Sequence, residues 1–232
     1  MPCPTAGAGP PPPIAGLFKF RPRVRPVSPT TPGLIAFAYL CGSVPTGVWL
    51  SRQRGLDPRD LGSGNIGATN VARTAGTTLG VLTLLGDVVK GFIPVLLAIR
   101  TGQPEPLVAL TGLAAFAGHL YPCFLKFSGG KGVATGFGVL LGLAPLGMVI
   151  GVLSFAATAA LTRYVSLASL VAAAVTPLAL IGLGYGTSAV LAAVTMSLCI
   201  VIRHRDNIRR LRFGTEARIG RKRPTPFDSG IA

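Results

Sequence analysis

Long apolar stretches are the feature that most constrains the fold of this chain of 232 residues. Five apolar blocks lie at about residues 33–51, 77–99, 106–125, 133–161 and 165–202. A helix needs about 20 predominantly apolar residues to cross the hydrocarbon core of a bilayer. Only 12% of the residues are charged, whereas a soluble domain has roughly 25%. The sequence therefore predicts an all-α, polytopic integral membrane protein.

The two longest blocks decide how many helices the chain forms. The fourth block carries Pro145 and Gly147 near its middle, and the fifth carries GLGYG at 182–186. Each block can form one tilted helix or two shorter helices joined by a turn, so the total is five to seven. Arg163 and Ser166 share a face with the other polar segments only if the fourth block is a helical hairpin. We therefore expect about seven transmembrane helices, with the last two blocks split.

The basic residues predict the orientation of the chain, whose formal net charge is +15. Nine Lys or Arg residues follow residue 202, and cytoplasmic segments of membrane proteins are enriched in these residues. Segments 52–76 and 119–132 would share that face. An odd number of helices then places the N-terminus outside, although this terminus is itself basic. Anionic lipid head groups explain the charge better than nucleic acid does, and no nucleic-acid partner is expected.

Three regions of the chain differ in composition. Residues 1–32 are rich in Pro and Arg, which is typical of a disordered tail. Residues 33–217 hold the apolar blocks and the polar motifs, and residues 218–232 form a basic C-terminal tail. The four cysteines lack CxxC spacing and there are only two histidines. We therefore expect neither a metal site nor a disulfide framework.

A glycine-rich segment, GSGNIGATNVAR at 62–73, follows the first apolar block. It contains a GxGxxG pattern, but a dinucleotide site also needs a βαβ unit, which the flanking spans exclude. The backbone N–H groups of a glycine turn can instead converge on one anion, and an Arg adds a bidentate fork. A flexible loop between helices is the alternative. The candidate ligand-binding residues are Gly62, Ser63, Gly64, Asn65, Thr69, Asn70 and Arg73.

A lysine in a glycine turn, SGGKG at 128–132, opens the fourth block. Backbone amides at a helix N-terminus, together with a lysine ammonium, favour phosphate. The segment is not a Walker A motif, because Gly132 stands where a Ser or Thr would hold Mg²⁺. A juxtamembrane lysine that extends to the membrane surface is the alternative. The candidate residues are Ser128, Gly129, Gly130, Lys131 and Gly132.

The last polar segment, RHRDNIRRLRFGTE at 203–216, places His204 and Asn207 three residues apart on one helical face. Arg205 lies between them and adds positive charge. A stop-transfer tail that holds the helix end inside the cell is the alternative interpretation. Ser166, at the start of the fifth block, would by itself be only a helix N-cap.

Two ionisable residues, Asp87 and Lys90, lie inside the second apolar block. They are three residues apart and can form an ion pair on one helical face. Charged residues within a membrane span are functional by default, although an ion pair that fixes helix packing is an equal alternative.

The polar segments together suit an anionic substrate, because they combine glycine turns with Ser, Asn, His, Lys and Arg and contain few carboxylates. Stabilisation of negative charge should dominate catalysis at such a site. No GxSxG motif occurs, and neither histidine has an acid five residues later, which excludes an HxxxxD acyltransferase. A transporter of an organic phosphate and a lipid-binding scaffold are the alternatives to an enzyme.

Five motifs resemble those of the bacterial acyl-phosphate:glycerol-3-phosphate acyltransferases. The similarity extends from about residue 33 to residue 217, and the motifs have the order and spacing of that family. They are GSVPTG at 42–47, GSGNIGATNVAR at 62–73, DVVKG at 87–91, GHLYPCFLKFSGGKGVAT at 118–135 and HRDNIRRLRFGTE at 204–216.

The resemblance implies a seven-helix enzyme of the bacterial cytoplasmic membrane with its site on the cytoplasmic side. It would move a fatty acyl group from acyl phosphate to the 1-hydroxyl of sn-glycerol 3-phosphate, giving 1-acylglycerol 3-phosphate and phosphate, the first step of phospholipid synthesis. No cofactor is expected, and a separate soluble enzyme should supply the acyl phosphate.

The resemblance also implies roles for individual residues. Ser63, Arg73 and Lys131 would hold phosphoryl groups, while Ser166, His204 and Asn207 would complete the glycerol phosphate site. Ser63, Lys131, His204 and Asn207 are the catalytic candidates. A substrate phosphate is the preferred general base, because no paired acid orients His204 in the sequence.

Overall fold

The computed structural model describes residues 31–220. The tails predicted for residues 1–32 and 218–232 lie almost entirely outside this range. The described residues form ten α-helices and one 3₁₀-helix at Cys123–Leu125. The α-helices are α1 Thr31–Ser43, α2 Thr46–Arg52, α3 Ala68–Thr74, α4 Thr77–Arg100, α5 Glu105–Leu120, α6 Val133–Leu143, α7 Pro145–Thr162, α8 Val165–Gly182, α9 Thr187–Arg203 and α10 Arg205–Arg212.

The apolar helices confirm the predicted all-α membrane fold. Five stretches are long and apolar enough to cross a bilayer: α1 with α2, α4, α5 with the 3₁₀-helix, α7, and α8. A sixth is formed if α9 and α10, which are bent by 58°, count as one span. Both expected splits are present, because α6 ends before Pro145 and α8 is separated from α9 by residues 183–186. The seventh apolar helix, α6, has only 11 residues and extends about 16 Å.

The first span is broken between α1 and α2, at Val44 and Pro45. Proline has no N–H to donate and restricts the residue before it, so a helix cannot continue through this position undisturbed. The carbonyl of Val44 accepts hydrogen bonds from the Thr46 N–H at 3.0 Å and from Lys90 Nζ at 2.9 Å. A charged residue of α4 therefore satisfies the backbone at the break.

Small residues allow the helices around the centre to pack closely. A Cβ atom at Gly138 of α6 would lie 2.0 Å from the Val88 carbonyl oxygen of α4, so only glycine fits there. The buried core continues through Phe116 of α5, Leu180 of α8 and Met196 of α9. Helix α7 packs on this core through Met148, but most of it is exposed, and its Leu153 is 62% exposed, as expected for a surface that faces lipid.

The loops that carry the polar motifs meet at one end of the bundle, which we call the polar end. It consists of residues 53–67, 121–132, 163–164 and 204–220, together with α3 between α2 and α4. Hydrogen bonds join residues 121–132 to residues 203–220, and residues 163–164 to the same segment. The predicted grouping of these segments on one face is therefore present in the fold.

Candidate active site

The glycine-rich segment before α3 is organised by the side chain of Asn70. Its Oδ1 accepts a hydrogen bond from the Ser63 N–H at 2.8 Å. Its Nδ2 donates to the carbonyl oxygens of Pro58, Leu61 and Asn65 at 2.8, 3.0 and 2.9 Å. Asn70 is only 2% exposed. Its amide therefore holds the loop in shape, a task for which side-chain amides are well suited.

The remaining residues of this segment divide into loop formers and exposed side chains. Gly62 and Gly64 have φ values of +63° and +71°, which favour glycine. Asn65 Oδ1 accepts a hydrogen bond from the Gly67 N–H at 2.8 Å. The hydroxyls of Ser63 and Thr69 are in exposed residues and bond to no other residue within 31–220. The folded loop thus presents these two hydroxyls to solvent.

The glycine turn before α6 is held from two sides. The Gly130 N–H donates to the His119 carbonyl oxygen of α5 at 3.1 Å. From α9, Arg203 donates through Nε to the Gly130 carbonyl at 3.0 Å and through Nη2 to the Gly129 carbonyl at 2.5 Å. A Cβ atom at Gly130 would lie 2.1 Å from His119 Nε2. Gly130 is therefore required for contact with α5.

The other residues of this turn have different surroundings. A Cβ atom at Gly129 would lie 2.2 Å from the His119 carbonyl oxygen, and one at Gly132 would lie 2.4 Å from the ring of Phe116. Ser128 is exposed, and its hydroxyl makes no hydrogen bond within the described range. The glycines therefore let the turn pack against α5, a reason that the sequence pattern did not reveal.

Lys131 begins a chain of polar contacts that joins the turn before α6 to α10 and Glu216. Its Nζ donates to Asn207 Oδ1 at 2.5 Å. Asn207 Nδ2 in turn donates to Glu216 Oε1 at 2.6 Å, and Arg210 Nε donates to Glu216 Oε2 at 2.6 Å. The side chain of Glu216 is only 6% exposed. These contacts fix the amide of Asn207 between a cation and an anion.

The electrostatic balance of this group favours an added anion. Burial lowers the pKa of Lys131 to about 8; Glu216 opposes this effect, whereas Arg210 and Arg73 add to it. Burial raises the pKa of Glu216, but the hydrogen bonds from Arg210 and Asn207 outweigh burial and lower it below its ordinary value. Lys131 and Arg210 therefore share one buried carboxylate, and Arg73 adds positive charge near Lys131. A phosphate would relieve the repulsion among the cations.

Ser166 and the C-terminal segment close one side of the group. The Ser166 side chain is 5% exposed, and its Oγ makes no hydrogen bond of normal geometry. The hydroxyl is nevertheless near enough to Glu216 to help lower its pKa. The Ile219 N–H donates to the Arg163 carbonyl at 2.8 Å, and Arg218 Nε donates to the Tyr164 hydroxyl at 2.9 Å. The turn before α8 thus anchors the segment that carries Glu216.

His204 lies at the bend between α9 and α10 and is 2% exposed. Its Nδ1 is 2.8 Å from the carbonyl oxygen of Ile200. A carbonyl only accepts hydrogen bonds, so Nδ1 carries the proton and the neutral ring has its lone pair on Nε2. A backbone carbonyl therefore orients His204, where the sequence showed no acid that could. Both Lys131 and Glu216 act electrostatically on this ring.

The structure brings some of the predicted site residues together and leaves others apart. Lys131, Asn207, Ser166 and His204 gather around Glu216, and Arg73 is near enough to Lys131 to affect its pKa. Arg205 is exposed at the start of α10, and its side chain forms no hydrogen bond or ion pair within the described range. Glu216 was not predicted as a site residue, although it ends the FGTE sequence of the third motif.

The predicted ion pair in the second apolar block is confirmed. Lys90 Nζ lies 2.8 Å from Asp87 Oδ1, and both side chains are at most 6% exposed. His119 Nδ1 is 3.7 Å from the same carboxylate oxygen and 3.0 Å from the hydroxyl of Thr135. The Thr46 hydroxyl donates to Asp87 Oδ1 at 3.2 Å. These five residues form a second charged group, which we call the buried cluster.

Comparison with solved structures shows where this fold has been seen before. PlsY, an integral membrane glycerol 3-phosphate acyltransferase, has a crystal structure in its glycerol 3-phosphate form that superposes with a TM-score of 0.80 at 41% identity. The lysophosphatidic acid form of PlsY gives a TM-score of 0.78 at the same identity. Each match covers 82% of this chain and 96% of the other.

Sequence comparison gives the same family. A glycerol-3-phosphate acyltransferase of Geobacter sulfurreducens is 51% identical over 185 residues, which are 80% of this chain and 95% of the relative. The family model described as glycerol-3-phosphate acyltransferase matches residues 33–214. This range includes the first two polar motifs, most of the third and the buried cluster, and it ends two residues before Glu216. The chain therefore belongs to the glycerol-3-phosphate acyltransferase family, which confirms the enzyme class and the family expected from its sequence.

Proposed function

We propose that this glycerol-3-phosphate acyltransferase takes its acyl group from an acyl phosphate, at the cytoplasmic face of a bacterial inner membrane. The acyl group is transferred to the 1-hydroxyl of glycerol 3-phosphate, and the products are lysophosphatidate and inorganic phosphate. The observation that carries the proposal is the position of Lys131. Its ammonium joins Asn207 and Glu216 at the polar end, where a phosphate can approach from water and an acyl chain from lipid.

Positive charge supports a phosphate-bearing donor as well as a phosphate-bearing acceptor. Lys131, Arg73 and Arg210 provide three cations, and one carboxylate, that of Glu216, bonds to Arg210 and Asn207. Attack on an acyl phosphate builds negative charge on the carbonyl oxygen and then on the departing phosphate. Fixed cations stabilise such charge most strongly where water is excluded. We assign this role to Lys131, with Arg73 as the second phosphoryl ligand.

The remaining predicted residues keep supporting roles in this proposal. The exposed hydroxyls of Ser63, Thr69 and Ser128 are free to contact substrate oxygens, and Ser166 faces the interior of the site. Asn70, Asn65 and the glycines act by shaping the two loops. Arg205, exposed beside the site, is proposed to attract anionic substrates from solution.

An apolar cavity beside Lys131 supports a fatty acyl donor. It is a narrow crevice between α6, α8 and α9, with room for water-sized molecules in a volume of about 20 Å³. Val133, two residues after Lys131, lines one end, and the lining continues through Phe137, Ala172 and Met196. Ile200, whose carbonyl orients His204, lies on the same wall. We propose that the start of an acyl chain parts the walls of this apolar crevice while its phosphate meets Lys131.

The attacking hydroxyl needs a proton acceptor, and we propose a substrate phosphate for this role. His204 then orients the hydroxyl, because its neutral Nε2 can only accept a hydrogen bond. The variant His204→Ala should lower kcat by about 10-fold to 100-fold. A loss of about 10⁴-fold with unchanged affinity for glycerol 3-phosphate would make His204 the base.

Phosphate release by the purified enzyme in detergent tests the donor. Palmitoyl phosphate is supplied with and without glycerol 3-phosphate, and palmitoyl-CoA is supplied as the competing donor. We expect phosphate and lysophosphatidate in equal amounts, only when glycerol 3-phosphate is present. Comparable acylation from palmitoyl-CoA would contradict the proposal. No acylation from either donor would favour a transporter of an organic phosphate, to be tested by uptake into vesicles.

Labelling of added cysteines tests the orientation. A cysteine at exposed Arg212, at the end of α10, should react with a membrane-impermeant maleimide only after the inner membrane is opened. A cysteine at Gly102, between α4 and α5, should react in spheroplasts whose inner membrane is intact. The opposite result would place the polar end outside. The unmodified protein, which has its own cysteines, provides the background.

A further inference from the structure

The buried cluster lies inside the helix bundle, and its hydrogen bonds indicate its structural role. Asp87 accepts hydrogen bonds from Lys90 and Thr46 and faces His119. Lys90 also donates to the Val44 carbonyl at the break of the first span. The charges of Asp87 and Lys90 thus compensate each other inside the bundle, as a buried pair requires.

One member of the cluster reaches beyond it to the site. The carbonyl of His119 accepts a hydrogen bond from the Gly130 N–H at 3.1 Å, and a Cβ atom at Gly130 would lie only 2.1 Å from His119 Nε2. On the other side of the turn, Arg203 binds the carbonyls of Gly129 and Gly130. The residue that follows directly is Lys131. The backbone before the lysine is therefore clamped between the His119 ring and a guanidinium.

The orientation of the His119 ring is itself fixed by the cluster. Its Nδ1 is 3.0 Å from the Thr135 hydroxyl and 3.7 Å from Asp87 Oδ1. With Nδ1 directed at these oxygen atoms, the Nε2 edge is turned towards Gly130. Thr135 lies in the first turn of α6, four residues after Lys131, so one short segment supplies the lysine and the group that orients the histidine.

We propose that His119 is a positioning residue, which uses its contacts with Asp87 and Thr135 to set the Gly129–Gly130 backbone and thereby the position of Lys131. This inference rests on the proposed role of Lys131 as the ligand of the substrate phosphate. It predicts that a substitution that frees the His119 ring to rotate weakens glycerol 3-phosphate binding, although the substituted residue does not contact the substrate.

Thr135 gives a cleaner test than His119 or Asp87, because removing a member of a buried charged group endangers folding. Thr135→Val keeps the shape of the side chain and removes only its hydroxyl, whereas Thr135→Ser keeps the hydroxyl. Thr111→Val is the matched control. Thr111 is also fully buried, in the helix of His119, but its hydroxyl bonds to the Leu107 carbonyl of its own helix.

The dissociation constant for glycerol 3-phosphate, measured by titration calorimetry in detergent, is the main readout, with Tm and kcat beside it. We expect Thr135→Val to raise the dissociation constant about 10-fold, and Thr135→Ser and Thr111→Val to leave it within about 2-fold. If Thr135→Val lowers only Tm, as Thr111→Val does, or if Thr135→Ser fails to restore affinity, the positioning role is wrong.

The dissociation constant for glycerol 3-phosphate tests the role of His119 independently of the proposal that acyl phosphate is the donor. Binding of glycerol 3-phosphate requires no acyl phosphate, so a failure of the donor proposal appears only in the phosphate-release assay. The Lys131→Ala variant completes the comparison. Unchanged affinity in that variant would remove the phosphate ligand on which the inference rests, and would overturn it together with the proposed role of Lys131.

Discussion

The molecule has two charged groups that differ in how completely their charges are compensated. In the buried cluster, Asp87 and Lys90 form a pair of opposite charges that is at most 6% exposed, and hydrogen bonds from neighbouring helices complete it. At the polar end, Lys131 and Arg210 share the buried carboxylate of Glu216, and Arg73 adds positive charge near Lys131. A compensated group stabilises the fold, whereas an uncompensated group at the membrane surface is ready to bind an anion.

The largest expected effect concerns the lysine of the uncompensated group. Lys131→Ala should lower kcat/KM by about 10³-fold, because it removes a buried cation that stabilises developing negative charge. The assay is phosphate release from palmitoyl phosphate in the presence of glycerol 3-phosphate. Lys126→Ala is the matched control, since Lys126 is an exposed lysine of the same loop. Equal losses in both variants would mean that only the overall charge of the loop matters.

Substitution of Gly130, which lies between the buried cluster and Lys131, should have the next largest effect on the rate. Gly130→Ala introduces a Cβ atom that would lie 2.1 Å from His119 Nε2. The turn must then move, and a displacement of about 1 Å at a catalytic group can lower the rate by about 100-fold. Ser128→Ala, at an exposed position of the same turn, should have little effect on the rate. Equal, mild effects of both variants would contradict the clamped turn.

The third prediction concerns Glu216, the buried carboxylate of the polar end. Glu216→Gln removes the negative charge and weakens the hydrogen bonds that Arg210 and Asn207 donate to this side chain. We therefore expect kcat/KM to fall by about 30-fold. Asp206→Asn is the control. Asp206 also influences Lys131, but its side chain is 59% exposed and water screens its charge. Losses of similar size would show that Glu216 acts only through long-range charge.

The pH dependence of glycerol 3-phosphate binding should report the charge of Lys131 at the polar end. The pKa of Lys131 is about 8, so its ammonium form is complete well below pH 8 and is lost as the pH rises through this value. The dissociation constant for glycerol 3-phosphate should therefore rise by up to about 10-fold per pH unit above pH 8. Affinity that stays constant between pH 7 and pH 10 would show that a permanently charged arginine binds the phosphate instead.

The smallest effect is expected at the amide that shapes the first loop. Asn70→Ala leaves buried backbone groups of residues 58–65 without partners, so the free energy of unfolding should fall by about 2 kcal/mol. Thr69→Ala, at the neighbouring exposed residue, should change it by less than about 0.5 kcal/mol. Thermal unfolding in detergent measures both. An unchanged Tm for Asn70→Ala, together with lost affinity, would make Asn70 a substrate ligand.

The sequence predicted those features that depend on short-range pattern. Apolar length predicted the spans, Pro145 predicted the boundary of α7, and a spacing of three residues predicted the pair of Asp87 and Lys90. These features follow from the periodicity and geometry of single helices. The motifs also predicted that Lys131 and Asn207 belong to one site.

The features that the sequence did not reveal depend on contacts between distant segments. Glu216 lies in an irregular segment after α10, and its place beside Ser166 follows from the anchoring of residues 218 and 219 on Tyr164 and Arg163. The glycines at 129 and 130 suggested room for a phosphate, but their missing side chains make room for α5. An amide such as Asn70 can bind a ligand or its own loop, and composition does not distinguish the two.

Proton uptake on binding tests the central claim most directly, because it reports the charge of Lys131 itself. Calorimetric titration with glycerol 3-phosphate at pH 8.5, in two buffers of different ionisation enthalpy, gives the number of protons taken up. With a free pKa of about 8, the wild-type enzyme should take up more than about half a proton, and Lys131→Ala should take up almost none. No uptake by the wild type, or equal uptake by the variant, would contradict the account.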